Sequence, residues 1–187
     1  MYGILGEHKS DVATLKVIIR RLAGNDKLSI HGKGYGGCGE LLRKGAREIQ
    51  GLIDAYDCSR FIVCRDADGP TPDDSRSKVL NQIVRPSGVD EDCCVVVPVQ
   101  ELEAWILADL PAVSNVITGW RPPDITKQPE SIESPKEYLE HLSRSSNKRP
   151  RYSHATHNEK VAMYLDLNKI QRMCPSFRPL VAFVLNS

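Results

Sequence analysis

Two stretches of this chain are apolar without a break. Phe61-Ile62-Val63-Cys64 and Cys93-Cys94-Val95-Val96-Val97 carry no polar residue at alternate positions. A strand with one wet face alternates. A strand apolar on both faces lies in a sheet covered on both sides, and such sheets are parallel. Parallel neighbours need crossover connections, so the chain is constrained to alternate strands with helices. The spacing elsewhere agrees. Residues 2–5 predict a short strand ended by Gly6. Residues 11–22 set Val12, Leu15, Val17, Ile18, Ile19 and Leu22 at helical spacing, with Ser10 as N-cap. Residues 28–31 predict a second strand, 40–56 a helix, 60–64 a strand, 75–84 a helix, 93–99 the strongest strand and 101–110 a helix. The expected fold is α/β, a mainly parallel sheet flanked by helices.

Glycine divides the chain. All 13 glycines except Gly119 lie at or before Gly88. Tight strand–helix turns therefore belong to a core over residues 1–115. Residues 116–187 read as an extension packed on that core, proline-rich between Pro111 and Pro150 and then helical, with helices over 159–167 and 177–185. With 25 basic and 24 acidic side chains, the net charge of +1 excludes a polybasic coat protein. Contact with nucleic acid must use a local patch. Six cysteines show no Cys-x-x-Cys spacing, which disfavours a zinc or redox motif and suggests buried reduced thiols. No apolar run reaches the length of a membrane span and no signal-peptide core opens the chain, so a cytoplasmic, non-membrane protein is expected.

In open parallel sheets the ligand crevice lies beyond the carboxyl ends of the strands. The residues there are Glu7 after the first strand, Asp66 and Asp68 after the third, and Glu101 and Glu103 after the last. All are carboxylates. Gathered acids repel one another unless a cation sits between them. Mg²⁺ is bound by a few carboxylates plus water and phosphate. Alternate residues of extended chain point the same way, so Asp66 and Asp68 can face one ion. Two such ions clamp the attacking and leaving oxygens of a phosphodiester.

Residues Gly6-Glu7-His8-Lys9-Ser10-Asp11 resemble the first motif of TOPRIM domains, with His8 in place of the usual glycine. Val63-Cys64-Arg65-Asp66-Ala67-Asp68-Gly69 resembles the TOPRIM Asp-x-Asp motif. The stretch Glu101-Leu102-Glu103-Ala104-Trp105 resembles the signature of a domain-of-unknown-function family of small TOPRIM-like proteins. Cys174-Pro175-Ser176-Phe177-Arg178 resembles that family's closing segment. Members are associated with bacterial anti-phage systems and with ABC/SMC-type ATPase partners. The resemblance implies a TOPRIM-like fold with a helical C-terminal extension. It implies Glu7 as general base or metal ligand, Asp11, Asp66 and Asp68 as ligands of Mg²⁺ or Mn²⁺, and Glu101 and Glu103 as supporting acids.

The leading expectation is Mg²⁺-dependent cleavage of nucleic acid, DNA ahead of RNA, by one subunit of an anti-phage system. Catalysis falls to Glu7, Asp66 and Asp68. The alternatives are a non-catalytic adaptor that binds an ATPase partner and, behind it, a haloacid-dehalogenase-like phosphatase built on Asp66-Ala67-Asp68-Gly69. Phosphate contacts are expected from Lys9, from Lys33 in the glycine-rich loop 32–39, and from Arg149 and Arg151. The last two lie in a basic segment with Arg144, Lys148 and Lys160. That segment contains His154 and His157 and predicts a loop.

Overall fold

The computed structural model describes residues 1–144 and 151–186. Four strands form one all-parallel sheet in the order β2-β1-β3-β4. They are β1 (Tyr2–Gly6), β2 (Ile30–Gly34), β3 (Arg60–Cys64) and β4 (Cys93–Val96). The register runs Leu5↔Lys33 between β1 and β2, Leu5↔Val63 between β1 and β3, and Val63↔Val95 between β3 and β4. The chain leaves β1 toward β2 on one side and returns to β3 on the other. Connections on either side of the β1–β3 boundary therefore run in opposite directions, which opens a crevice there.

Side chains alternate between two cores. Tyr2, Ile4, Ile62, Cys64, Cys94 and Val96 face α1 (Lys9–Leu22) and the C-terminal helices. Leu5, Phe61, Val63, Val95 and Val97 face α2 (Cys38–Tyr56) and the rod formed by α3 (Asp73–Val79), a π-helical stretch (Leu80–Val84) and α4 (Arg85–Ser87). The α/β expectation is thus correct, with both sheet faces covered. The rod approaches α2 closely: a Cβ on Gly45 would stand 2.7 Å from Ile83 Cδ1.

After β4 come α5 (Glu103–Ala108), α6 (Pro135–Leu142), α7 (His154–Ala162), α8 (Leu167–Met173) and α9 (Arg178–Leu185). They join the same hydrophobic core as α1 and one face of the sheet. Long-range bonds fix them. Arg21 Nη1 donates to Ala162 O at 2.7 Å, and Arg60 Nη2 donates to Phe183 O at 2.6 Å. Among the described residues no helix is long and apolar enough to cross a membrane.

Several predicted boundaries move. Helix α1 starts at Lys9 with His8 as N-cap, because Asp11 Oδ2 accepts the His8 N–H at 2.8 Å; Ser10 sits inside the first turn. Strand β2 runs to Gly34, so Gly32, Lys33 and Gly34 pair with β1 and the glycine-rich loop is shorter than predicted. Strand β4 ends at Val96, and α5 starts at Glu103. Residues 154–160 are helical where a loop was expected, and His157 Nδ1 accepts the Ser153 N–H at 2.9 Å at the start of α7. Helices α6 and α8 have no sequence counterpart above.

Of the glycines, Gly34 leaves the least room for a side chain. A Cβ there would lie 2.4 Å from Lys9 N and 2.5 Å from Lys9 Cα. Backbone cannot step aside as a side-chain tip can. Gly34→Ala should therefore lower stability by about 1–3 kcal/mol, the usual cost of overpacking. A thermal melt beside wild type checks this, and an unchanged midpoint would show that α1 is not seated on β2.

Candidate active site

The crevice is built from the segments just past β1, β3 and β4. Glu7 follows Gly6 and is buried. Its segment is held by the next loop: Tyr35 N–H donates to Gly6 O and Gly37 N–H to Glu7 O, both at 3.2 Å. Past β3 and β4 the two chains remain bonded. Arg65 N–H donates to Val96 O, Ala67 N–H to Pro98 O, Asp68 N–H to Gln100 O, and Gln100 N–H to Gly69 O, at 3.0–3.1 Å. Asp68 and Gln100 both take left-handed backbone, φ 54° and 62°. Non-glycine residues accept that conformation where surrounding bonds impose it, and such sites cluster at functional loops.

The charge of Glu7 reaches Asp66, and the charge of Asp68 reaches Glu7. Burial, with the charge of Asp68, pushes the Glu7 carboxyl up to about 7 against the pull of Arg65; Asp11 adds to the rise. Burial pushes Asp66 well above the ordinary carboxylate range, and the charges of Asp11, Glu103, Glu7 and Glu101 push the same way. Asp68 stands exposed at the rim. Glu7 is thus the carboxylate that both Asp66 and Asp68 share as a charged neighbour.

The other predicted acids have structural partners. Asp11 caps α1 and also accepts from Ser10 Oγ at 3.2 Å; burial still raises its pKa. Glu101 holds the first turn of α6. Its Oε2 accepts the Lys136 N–H at 2.9 Å, and its Oε1 pairs with Lys136 Nζ at 3.1 Å. Glu103 is buried and accepts from Asn158 Nδ2 at 2.9 Å, while Tyr152 Oη donates to Asn158 Oδ1. Burial pushes Glu103 up to about 7. Two residues on, Trp105 Nε1 donates to Ser176 Oγ at 2.9 Å, and Trp105 meets Phe177 edge to face at 4.9 Å. The Glu101-Leu102-Glu103-Ala104-Trp105 stretch thus anchors three parts of the C-terminal region.

Would these residues suit a divalent ion? The donors are all carboxylate oxygens, as a hard cation requires. Glu7 Oε1 is buried with no hydrogen-bond partner, which suits an oxygen kept for another ligand. Asp66 Oδ1 accepts the Leu102 N–H at 3.1 Å, which orients the carboxylate. Among the described residues, no three His, Cys, Asp or Glu side chains gather closely enough to hold an ion by themselves. A magnesium-type ion asks for less: one or two carboxylates, with water and substrate oxygens completing the shell.

Sequence reasoning overlooked Arg65. It is only 6% exposed, and its Nε lies 3.7 Å from Glu7 Oε1. The available signal was a lone cation directly after an otherwise apolar strand. The basic residues sit apart. Lys9 and Lys33 are exposed and line a groove of about 400 Å³ at the β2 edge with Lys16 and Glu159. Arg151 is exposed, its N–H bonded to Ser143. Arg149 and Lys148 lie outside the described residues.

The model of a family described as a domain of unknown function, DUF4276, matches residues 10–185 of the chain. No curated protein matches, and no solved structure does.

Glu7 and Glu103 bind protons more tightly folded than unfolded. Their contribution to stability is complete below about pH 4.5 and is lost as pH rises through about 7. Melting of the chain in EDTA should therefore show stability falling across that window. Glu103→Gln keeps an acceptor for Asn158 and removes one titration, so its profile should be flatter. A slope identical to wild type would show that Glu103 ionises normally.

Proposed function

We propose that this chain, which belongs to the DUF4276 family, is a Mg²⁺-dependent phosphodiesterase that cleaves nucleic acid. The observation that supports it is the buried Glu7 carboxylate at the β1–β3 switch point, whose Oε1 is unpartnered and whose charge acts on Asp66 while that of Asp68 acts on it. The motifs around these acids resemble those of TOPRIM nucleases and of small TOPRIM-like proteins of anti-phage systems. On that resemblance the chain works as one subunit beside an ABC/SMC-type ATPase.

In this reading Asp66, with Asp68 or Glu7, would hold the ion, water and substrate oxygens completing its shell, and the bound ion would supply Lewis-acid activation of phosphate and water. The remaining work belongs to the chain. Glu7, titrating near neutral pH in its buried position, is suited to accept a proton from the attacking water. The bond from Leu102 N–H fixes the Asp66 carboxylate. The ladder between residues 65–69 and 96–100 keeps Asp68 at the rim. Lys9, Lys16 and Lys33 offer phosphate contacts along the groove beside α1.

A second reading, the non-catalytic adaptor, draws on a specific observation: Asp11, Asp66, Glu101 and Glu103 all hold structural hydrogen bonds. Metal separates the two. Glu7→Gln and Asp66→Asn preserve shape and acceptor oxygens. Each should reduce Mg²⁺-dependent cleavage of an oligonucleotide by about 10²-fold or more. Asp66→Asn should not lower the melting temperature in EDTA, since it removes charge from a repelling group, whereas Glu7→Gln also removes the counter-charge of Arg65 and should lower it. Absence of Mg²⁺-dependent cleavage by wild type would exclude the phosphodiesterase reading, and activity that survives both changes would exclude Glu7 and Asp66 as its carriers.

Lysine contacts predict a salt effect. Each phosphate neutralised contributes about 0.9 to the slope of log K against log salt on duplex DNA. Lys9→Ala with Lys33→Ala should therefore reduce that slope by up to about 2, provided both lysines carry contacts. Binding titrations at two salt concentrations measure it, and parallel lines for wild type and variant would place the nucleic acid elsewhere.

A further inference from the structure

Arginine side chains this deeply buried are normally paired, because a desolvated cation without acceptors is costly. Arg60, half-buried at the other end of β3, leaves its Nε unpartnered, but its Nη2 donates to Phe183 O and its guanidinium lies over the Phe183 ring at 4.1 Å. Arg65 has no such bond. Its Nε and Nη1 are buried and find no hydrogen-bond acceptor among the described residues. Glu7 Oε1, at 3.7 Å, is beyond hydrogen-bonding distance and is itself unpartnered. Charge is neutralised across this gap, but the donors are not satisfied. A pair serving structure alone would close to a hydrogen-bonded fork.

Position adds a second reason. Arg65 and Glu7 each lie two residues past the Leu5↔Val63 pair, on adjacent strands at the switch point. Asp66 is turned instead toward α5 through its bond to Leu102. The crevice is therefore divided: carboxylates of Asp66 and Asp11 on the α1 side, a permanent cation on the α2 side. The 14-residue helix α1 begins at Lys9, two residues after Glu7.

We infer that Arg65 is an anion subsite, whose guanidinium takes a non-bridging oxygen of the substrate phosphate beside the acids. This rests on reading the crevice as a phosphodiester site. The planar, always protonated guanidinium matches a tetrahedral phosphate better than a lysine does. An oxygen seated there satisfies donors that the folded chain leaves open. The phosphate is thereby oriented between the cation and the carboxylates before any bond breaks.

The test is a calorimetric titration of the full chain with inorganic phosphate, with Mg²⁺ and again in EDTA, on wild type, Arg65→Gln and Arg65→Lys. Wild type should bind phosphate. Arg65→Gln should weaken binding about tenfold or more, the loss of one charge-assisted hydrogen bond. Arg65→Lys should fall between. Mn²⁺ binding, followed by electron paramagnetic resonance, should persist in both variants. Undiminished phosphate affinity in Arg65→Gln overturns the inference, as does the absence of phosphate binding by wild type. Should Arg65→Gln fail to fold, Arg65→Lys decides: affinity equal to wild type overturns it. Failure of wild type to bind Mn²⁺ would instead remove the metal reading, and the EDTA titration would still show whether Arg65 holds phosphate.

Discussion

Repulsion among the carboxylates at the carboxyl ends of β1 and β3 is the force that the surrounding structure has to contain. Asp66 feels Asp11, Glu103, Glu7 and Glu101 at once, in a place that burial has stripped of much of its water. Like charges in such surroundings push apart or take up protons. The fold counters with bonds on both sides. The loop at Tyr35 and Gly37 pins the Glu7 segment, and the 65–69 and 96–100 segments pin each other. Two residues in left-handed backbone, Asp68 and Gln100, mark where this restraint is tightest.

The C-terminal helices complete the restraint. Glu101 seats α6, Glu103 seats α7 through Asn158, and Trp105 seats the turn at Ser176 and Phe177. These three residues follow directly on the β4 end, so one short stretch joins the rim of the crevice to the whole C-terminal layer. In this arrangement Glu101 is bonded to Lys136 and Glu103 to Asn158. Their charges still reach Asp66, so they shape its field without touching a ligand.

How much of this was legible in the sequence follows from what each residue's neighbours supply. Arg60–Cys64 was placed to the residue, because a strand buried on both faces needs no partner to announce itself. β2 was blurred, because His31, Gly32, Lys33 and Gly34 pair through backbone and carry little apolar signal. The helical start at His154 was hidden by a cap made at a distance of four residues, Ser153 to His157. The acids at the strand ends were visible as a pattern. What their side chains bond to was not: a carboxylate turned to Lys136 and one turned to the crevice look alike in sequence. Arg65 was missed for a related reason, since an unpaired donor is defined by which atoms fail to arrive.

The bonds that close the structure join distant parts of the chain. Trp105 to Ser176 spans 71 residues, Arg60 to Phe183 spans 123, and Arg21 to Ala162 spans 141. Contacts of that range form late in folding, because the entropy of closing each loop comes before the contact can repay it. Strands β1 to β4 can therefore pair while the layer that packs on α5 is still disordered. During that interval the Glu103 carboxylate and the Trp105 ring face water, and a half-folded chain exposes an apolar sheet face that invites association. Pairing of β1 with β3 brings the Glu7 and Asp66 segments together, and docking of the C-terminal helices then buries Glu103 and Trp105.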